Sequence, residues 1–405
     1  MRSSTLFLLA SMSAGLFAAD GDEKVQIHGF GVVPYGNLTN TSNTLTIHPK
    51  ALLSVGTDSN LYATPSDETS DTYVGGSIGV LANWSSSEAI KVGLDVEVDG
   101  KRYSDHSDRN LVGGKGTLTA DWKGDVAIAG VDGSYARIDD PDIQTGERIQ
   151  HRDLNGGATV GWEGIDSKGS VRVGGRNIRY LEDAGGFVAD QRSTSGVTGA
   201  ARFALLGGGE TELFVAVKGS SWHYVDDSAL NNGEDVAPTV GIQTKLGERA
   251  GLLVEVGVDH RSYDKNSAAG ADDKSVIVPI GNVVFSWPVN DSLDLQAKGF
   301  GLADNSLTSN AYALYGAELG ARWSATRQLV LFATGDAVKV KDTAAGTGLD
   351  EESRATFIGA LGAEFQATRG LAFRLTGRQT GSHALAGFGS DYDRSELLVD
   401  AAFVF

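Results

Sequence analysis

The sequence predicts an all-β fold: a transmembrane antiparallel up-and-down β-barrel of about 18 strands, with short periplasmic turns and longer extracellular loops. Three observations predict it. Apolar and polar residues alternate along most of the chain, a two-strand pattern repeats about every forty residues, and each repeat ends on a large apolar side chain. No later segment approaches the ~20 apolar residues of a spanning helix, so a membrane form must be a closed barrel, which satisfies its own backbone polar groups.

The alternation predicts long strands with two different faces. Successive residues of a strand point to opposite sides. In residues 90–98, Val92, Leu94 and Val96 therefore share one face, and Asp95 and Glu97 lie on the other. The same pattern is clear in residues 112–122, 154–162, 197–205, 236–246, 311–323, 357–365 and 397–405.

A large apolar residue ends one strand of each repeat, just before a compact turn. Amphipathic aromatic rings concentrate at the membrane interface of such barrels, so the aromatic members predict a girdle at the turn side. The full series is Trp84, Trp122, Trp162, Leu205, Leu246, Trp287, Trp323, Phe365 and Phe405. The predicted girdle residues are Trp84, Trp122, Trp162, Trp287, Trp323, Phe365 and Phe405.

The connections are short at one end of the hairpins and long, polar and acidic at the other. Residues 124–125 and 207–209 have the glycine-rich composition of tight turns, whereas residues 58–70 and 225–235 form longer acidic stretches. This asymmetry is typical of outer-membrane barrels, in which an even strand count places both termini in the periplasm.

Two segments precede the first clear strand. Residues 1–19 predict a secretory signal, because Arg2 is followed by a short apolar core and by small residues. The alternative is an N-terminal membrane anchor, for which the apolar stretch is short. We assign residues 20–43 to an N-terminal periplasmic or plug segment, and residues 44–405 to the barrel.

Soluble folds fit the sequence less well than the barrel does. A propeller or solenoid also repeats at about forty residues, but a propeller blade needs about four short strands where each repeat here holds two long ones. A soluble β-sandwich would show the same alternation and hide its apolar face against a second sheet. The aromatic series and the C-terminal strand favour the membrane.

Composition excludes several functions. Because the chain has no cysteine, it can form neither disulfides nor thiolate metal sites. Its formal charge of −18 makes it a poor partner for nucleic acid, whose phosphates are bound by Lys and Arg. Its seven histidines show no metal-ligand spacing, and no nucleophile is identified by spacing. We therefore expect no cofactor, no metal and no enzymatic activity. Acidic loops such as residues 226–235 lack the EF-hand spacing for calcium.

The face opposite the apolar one carries the candidate functional residues. A charge facing lipid near the midplane costs about 2–4 kcal/mol, so these side chains should face the lumen. The predicted lumen-lining residues are Asp95, Glu97, Asp99, Lys101, Arg172, Arg176, Trp222, Tyr224, Glu255, Asp259, Arg261, Glu318, Arg322, Arg374 and Arg378. They fit either a hydrated pore with a transverse field or a closed barrel held by internal salt bridges. The aromatic members fit sugar stacking, or girdle positions displaced by a bulge.

Two segments resemble known proteins. Residues 397–405 resemble the terminal strand that the assembly machinery of outer-membrane proteins recognises. Residues 57–65 and 70–73 resemble the β-barrel porin 2 family, as do tyrosines near the ends of ascending strands. This resemblance implies an outer-membrane barrel, of a kind often associated with exopolysaccharide or capsule production. The tyrosines are Tyr103, Tyr180, Tyr224 and Tyr263.

These observations leave three functional hypotheses. The first is a porin-like channel in the bacterial outer membrane for polar or anionic solutes, with saccharides among the candidates. The second is a component of exopolysaccharide or capsule secretion, with polysaccharide and periplasmic export partners. The third is a structural or adhesive barrel without transport. In each case the expected surroundings are outer-membrane lipid and lipopolysaccharide, and the expected assembly partner is the barrel-assembly machinery.

Overall fold

The computed structural model describes most of the predicted barrel and little of the chain before it. The described residues are 25–27, 30–32, 45–64, 66, 68–87, 89–141, 148–183, 188–207, 210–228, 230–265, 274–306, 310–342, 353–386 and 391–404. The predicted signal, most of residues 20–43, and Phe405 lie outside these ranges.

Eighteen antiparallel strands follow one another around a closed barrel, and the last strand pairs with the first. The prediction of an up-and-down barrel of about 18 strands is therefore confirmed. The strands are β3 (Leu45–Asp58), β4 (Asp71–Ser87), β5 (Ile90–Tyr103), β6 (Leu111–Lys123), β7 (Ala127–Pro141), β8 (Arg148–Glu163), β9 (Ser167–Tyr180), β10 (Thr194–Gly207), β11 (Thr211–Tyr224), β12 (Gly233–Leu246), β13 (Ala250–Tyr263), β14 (Ser275–Asn290), β15 (Leu293–Asn305), β16 (Ala311–Ser324), β17 (Leu329–Asp342), β18 (Ser353–Thr368), β19 (Leu371–Ala386) and β20 (Tyr392–Val404).

The remaining elements are short. Two three-residue strands, β1 (Val25–Ile27) and β2 (Phe30–Val32), form a small hairpin of their own. A 3-10 turn spans Ser107–Arg109, and one α-helical turn, α1, spans Ala189–Arg192. Among the described residues, no helix is long and apolar enough to cross a membrane.

The outer face of the wall is apolar and exposed. Along β5, the side chains of Leu94, Val96 and Val98 are exposed, whereas Glu97 between them is buried. The same alternation recurs on other strands, whereas the first four residues of β16 are all buried. A soluble sandwich would bury such a face against a second sheet, and here a single closed sheet turns it outward, as a membrane barrel requires.

Large aromatic side chains lie on this outer face near the turns. Each is 40–50% exposed and lies within three residues of the end of its strand. Tyr103, Tyr180, Tyr224 and Tyr263 each end a strand at the opposite rim of the barrel. The described aromatic residues at the turn side are Trp84, Trp122, Trp162, Trp287, Trp323 and Phe365.

The two rims differ in the length of their connections. At the rim with the aromatic residues, the strands are joined by gaps of 2–4 residues, and at the other rim by gaps of 5–13 residues. Gly247 in the β12–β13 turn has a φ of 68°, a left-handed conformation that glycine adopts without a Cβ clash. The rim with the short turns is therefore the periplasmic one.

Candidate functional site

The candidate site is the inward face of the wall, where the register of β3 to β6 brings charges together. Lys50 on β3 lies 2.6 Å from Asp95 and 3.2 Å from Glu97 on β5, and Lys115 on β6 lies 3.5 Å from Glu97. Asp99, further along β5, pairs across the sheet with Gly113. Lys50 was missed by the sequence reasoning, because its own segment shows no charge alternation to mark it.

Above this cluster, a lysine lies on a buried ring. The Lys101 ammonium is 4.4 Å from the centre of the Tyr73 ring, a distance at which a cation is attracted to the negative ring face. Tyr73 also packs against Tyr103 and Leu61. Lys101 is thus held on the wall by an aromatic neighbour.

Arginines of β9 pair with aspartates of β7 and β8. Arg172 donates from Nε and Nη2 to the two carboxylate oxygens of Asp132, at 3.1 and 2.6 Å. Arg176 forms the same bidentate pair with Asp153, with its Nε and Nη2 at 3.3 and 2.8 Å from the two carboxylate oxygens. This geometry is the strongest form of side-chain ion pair. Both aspartates occupy inward positions of their strands, so the alternation alone could have identified them.

The next arc carries glutamates held between two partners. Glu212 lies 2.6 Å from Arg202 and 2.5 Å from Lys168. Glu255 accepts a hydrogen bond from Thr239 at 2.7 Å and lies 3.5 Å from Lys218. Each glutamate is therefore fixed from neighbouring strands.

Arg261 organises a packed cluster at the extracellular end of β13. It lies 3.1 Å from Asp259 and donates to the Asn305 side chain at 2.9 Å and to the Ala303 carbonyl at 2.7 Å. Its guanidinium also lies 5.4 Å from the centre of the Trp222 ring. The cluster is buried, and Trp222 belongs to it rather than to the outer face.

The aromatic residues of this cluster pack on one another. The Trp222 and Tyr263 rings meet edge to face at 5.7 Å, and Tyr224 packs against the same cluster. Because Trp222 and Tyr263 are buried, a sugar could stack on them only after they move. They form neither an open sugar platform nor a displaced part of the girdle.

The arc from β15 to β20 continues the pattern. Lys298 lies 3.2 Å from Glu318, and Arg322 lies 3.3 Å from Glu364. The sequence singled out Glu318 and Arg322 together, but the structure pairs each with a different residue. Arg378 lies 3.5 Å from Glu396 on β20.

Among the described residues, three phenylalanine rings on this face lie directly over a glycine of the neighbouring strand. A Cβ added to Gly362 would lie 2.5 Å from Cζ of Phe332, and the Arg374 guanidinium lies 4.5 Å from the same ring. Sequence reasoning missed these stacks because they depend on the register between strands. The three stacks are Arg374, Phe332 and Gly362; Arg202, Phe214 and Gly241; and Lys298, Phe300 and Gly316.

The segment that resembles the β-barrel porin 2 family lies where the barrel closes. The buried Asn60 side chain donates to the carbonyl of Thr64 at 2.8 Å and to that of Asp393 at 3.0 Å. In the next loop, Asp108 accepts a hydrogen bond from the Tyr62 hydroxyl at 2.7 Å, which lowers the pKa of Asp108. These contacts tie the first two extracellular loops to the seam between β3 and β20.

The ion pairs named above share one arrangement. Each joins residues on the same strand, on adjacent strands, or on strands separated by a single strand. They therefore run around the wall, and none of those named crosses the lumen.

Several solved structures are similar to this chain, and the first of those described below shows the fold. The copper transporter OprC aligns with a TM-score of 0.51 and 13% identity, covering 92% of this chain and 81% of that one. OccAB4 of Acinetobacter baumannii aligns at 0.49 and 10% identity, covering 90% and 100%. OccK2 (OpdF) of Pseudomonas aeruginosa, solved with glucuronate, aligns at 0.49 and 12% identity, covering 89% and 98%. No family model and no curated protein matches the chain.

Three features of the barrel indicate where the protein is located in the cell. The eighteen strands leave no free edge, the outward side chains are apolar, and the connections are short at one rim and long at the other. The chain is a bacterial outer-membrane β-barrel, as the sequence predicted.

Proposed function

We propose that the protein is a channel for polar solutes, with a preference for anions. The observation that carries this proposal is the different exposure of the two partners in the wall's ion pairs. In four of them the cationic side chain is 36–47% exposed and the carboxylate only 1–14%. These pairs are Lys115–Glu97, Arg176–Asp153, Lys218–Glu255 and Arg322–Glu364.

In these four pairs the exposed cation lies over a buried carboxylate, so the wall presents positive charge to the lumen although the whole chain has a net charge of −18. The buried carboxylates hold the basic groups in place and are themselves shielded from a passing solute. Three pairs have the reverse order, with the carboxylate more exposed: Lys50–Asp95, Arg172–Asp132 and Lys298–Glu318. The exposed groups of both signs produce the transverse field that orders polar solutes in a pore.

The width of the barrel supports a passage. A barrel of about eight strands is filled by its own side chains, and barrels of about 16–18 strands leave room for an aqueous channel. The ion pairs run around the wall, so they stabilise it without closing the central space.

The proposal is tested by the reversal potential of the refolded mature chain in planar bilayers under a KCl gradient. We expect anion preference, which Lys115→Gln with Lys218→Gln reduces. Arg249→Gln is the matched control, because Arg249 lies in a periplasmic turn and pairs with the exposed Asp291 at 3.0 Å. Cation preference, or no conductance from either the full chain or a chain lacking residues 25–32, would overturn the proposal.

Saccharides are the finer proposal for the solute, together with membership of the β-barrel porin 2 family. Both rest on the resemblance of residues 57–65 and 70–73, and that family's link to exopolysaccharide keeps secretion as the second candidate. Channel block by an acidic oligosaccharide, compared with a neutral one of equal length, tests the solute class. Loss of capsule on gene deletion with uptake of small solutes intact would favour secretion over uptake.

A further inference from the structure

An apolar patch lies on the inward face where β3 and β4 meet β19 and β20. It consists of Leu52, Ala372, Ala402 and Val404, which are 7%, 4%, 0% and 1% exposed, with Leu81 packed against them. A second buried apolar cluster, which includes Leu314 and Val338, lies on the inward side of β15 to β17, and much of the remaining inward face is polar or charged. Removing apolar side chains from water stabilises the folded protein. A buried apolar patch that faces a lumen therefore indicates that another segment covers it.

The outer side of the same strands is not covered. Leu53, Phe373 and Val399 are 55%, 44% and 50% exposed, as expected of lipid-facing residues. Thr117 and Thr334, inward residues on more distant strands, are also exposed. Cover at the seam therefore lies on the lumen side, and it does not extend to Thr117 or Thr334.

The β1–β2 hairpin is in position to provide that cover. Its backbone approaches β3, β19 and β20, three strands that lie side by side in the wall. A short hairpin that approaches three neighbouring strands lies across one face of the sheet or at its rim. The burial of the inward patch and the exposure of the outer face select the inward face.

From these observations we infer that the β1–β2 hairpin docks inside the barrel as a plug that covers the seam patch and narrows the lumen. The hairpin pairs Val25 with Val32, Gln26 with Gly31 and Ile27 with Phe30, so two of its three pairs join apolar residues. Such a composition suits an apolar patch and would be unfavourable in water.

The charges beside the patch agree with a covered site. Lys50 lies next to Leu52 in the inward register of β3, and its side chain is 2% exposed although Lys115 on β6 is 47% exposed. Lys50 lies 3.2 Å from Glu97, which is 1% exposed. A charged pair tolerates removal from water when its partners stay together.

Cysteine labelling tests the plug, because the chain contains no native cysteine. Ala402→Cys, in the refolded full chain and in a variant lacking residues 25–32, is reacted with a charged maleimide. We expect the deletion to raise the labelling rate by at least about tenfold, since local opening must precede reaction when the site is covered. Thr334→Cys, inward and exposed, is the control and should react at the same rate in both chains.

Two outcomes would overturn the inference. One is labelling of Ala402→Cys in the full chain as fast as that of Thr334→Cys. The other is slow labelling that persists after the deletion, since the wall itself would then bury the site. Heat-modifiable electrophoretic migration confirms that each variant is folded. The labelling result does not depend on conduction, so it decides the plug even if the proposed channel function fails.

Discussion

Arg394 on the last strand forms a bidentate salt bridge with Asp58 at the end of the first barrel strand. Its Nε donates to one carboxylate oxygen at 2.9 Å and its Nη2 to the other at 2.6 Å, while Glu396 lies 3.0 Å from the same guanidinium. Asp58 is fully buried. The contact lies at the seam that closes the barrel, so it joins the two ends of the sheet.

Breaking this pair should destabilise the barrel. Arg394→Met leaves Asp58 with less compensation for its buried charge, which typically costs about 3–5 kcal/mol. Guanidinium-induced unfolding in lipid vesicles measures the change. Arg249→Met, which removes the exposed pair with Asp291, should cost only about 0–1 kcal/mol. Equal losses in the two variants would contradict a special role for the seam.

The two faces of the wall should respond differently to a new charge. Val96→Arg places a guanidinium against lipid near the middle of β5, and we expect a loss of about 2–4 kcal/mol. Thr117→Arg, on the inward face of the neighbouring strand, faces the lumen and should be nearly neutral. The unfolding free energies of the two variants provide the test, and similar losses would mean that the faces are assigned the wrong way round.

Glycines under rings should be intolerant of any side chain. A methyl at Gly362 would meet Phe332 and the carbonyl oxygen of Leu375, so Gly362→Ala should cost about 1–3 kcal/mol through overpacking. A Cβ added to Gly359 on the same strand would have nothing within 4 Å, and Gly359→Ala should be neutral or slightly stabilising. Thermal unfolding of both variants in detergent gives the comparison.

The contact between the first two extracellular loops should depend on pH. The hydrogen bond from Tyr62 lowers the pKa of Asp108, so its contribution is complete above the ordinary aspartate pKa of about 3.9 and is lost as pH falls through the lowered value. In Tyr62→Phe the Asp108 midpoint should rise, as followed by NMR of carboxyl carbons. Asp226, whose pKa is lowered by the Ser228 amide, should not change. A shift of both would show a general change in the loops.

The alternation of the sequence was enough to predict which residues of a strand share a face. A strand has a period of two, so Val96 and Glu97 must point to opposite sides whatever their neighbours are. The turns likewise predict the strand number, because short connections allow only neighbouring strands to pair. The short turns and the aromatic series together predict which rim faces the periplasm.

The partners of the inward charges could not be predicted in this way. Asp95 and Glu97 meet Lys50 only because β4 aligns β3 and β5 in one register. The burial of the Trp222 ring likewise depends on the packing of Arg261 and Tyr263 beside it.

The sequence by itself determined the barrel, its strand number, its orientation and the side of the wall that carries charge, since these follow from local periodicity and turn length. Only the tertiary structure decided which charged residues form ion pairs with one another. It also decided which member of each pair is exposed to the lumen. Asp58 and Arg394 lie 336 positions apart and meet only when the sheet closes. No local pattern encodes that contact, because it depends on the summed register of eighteen strands.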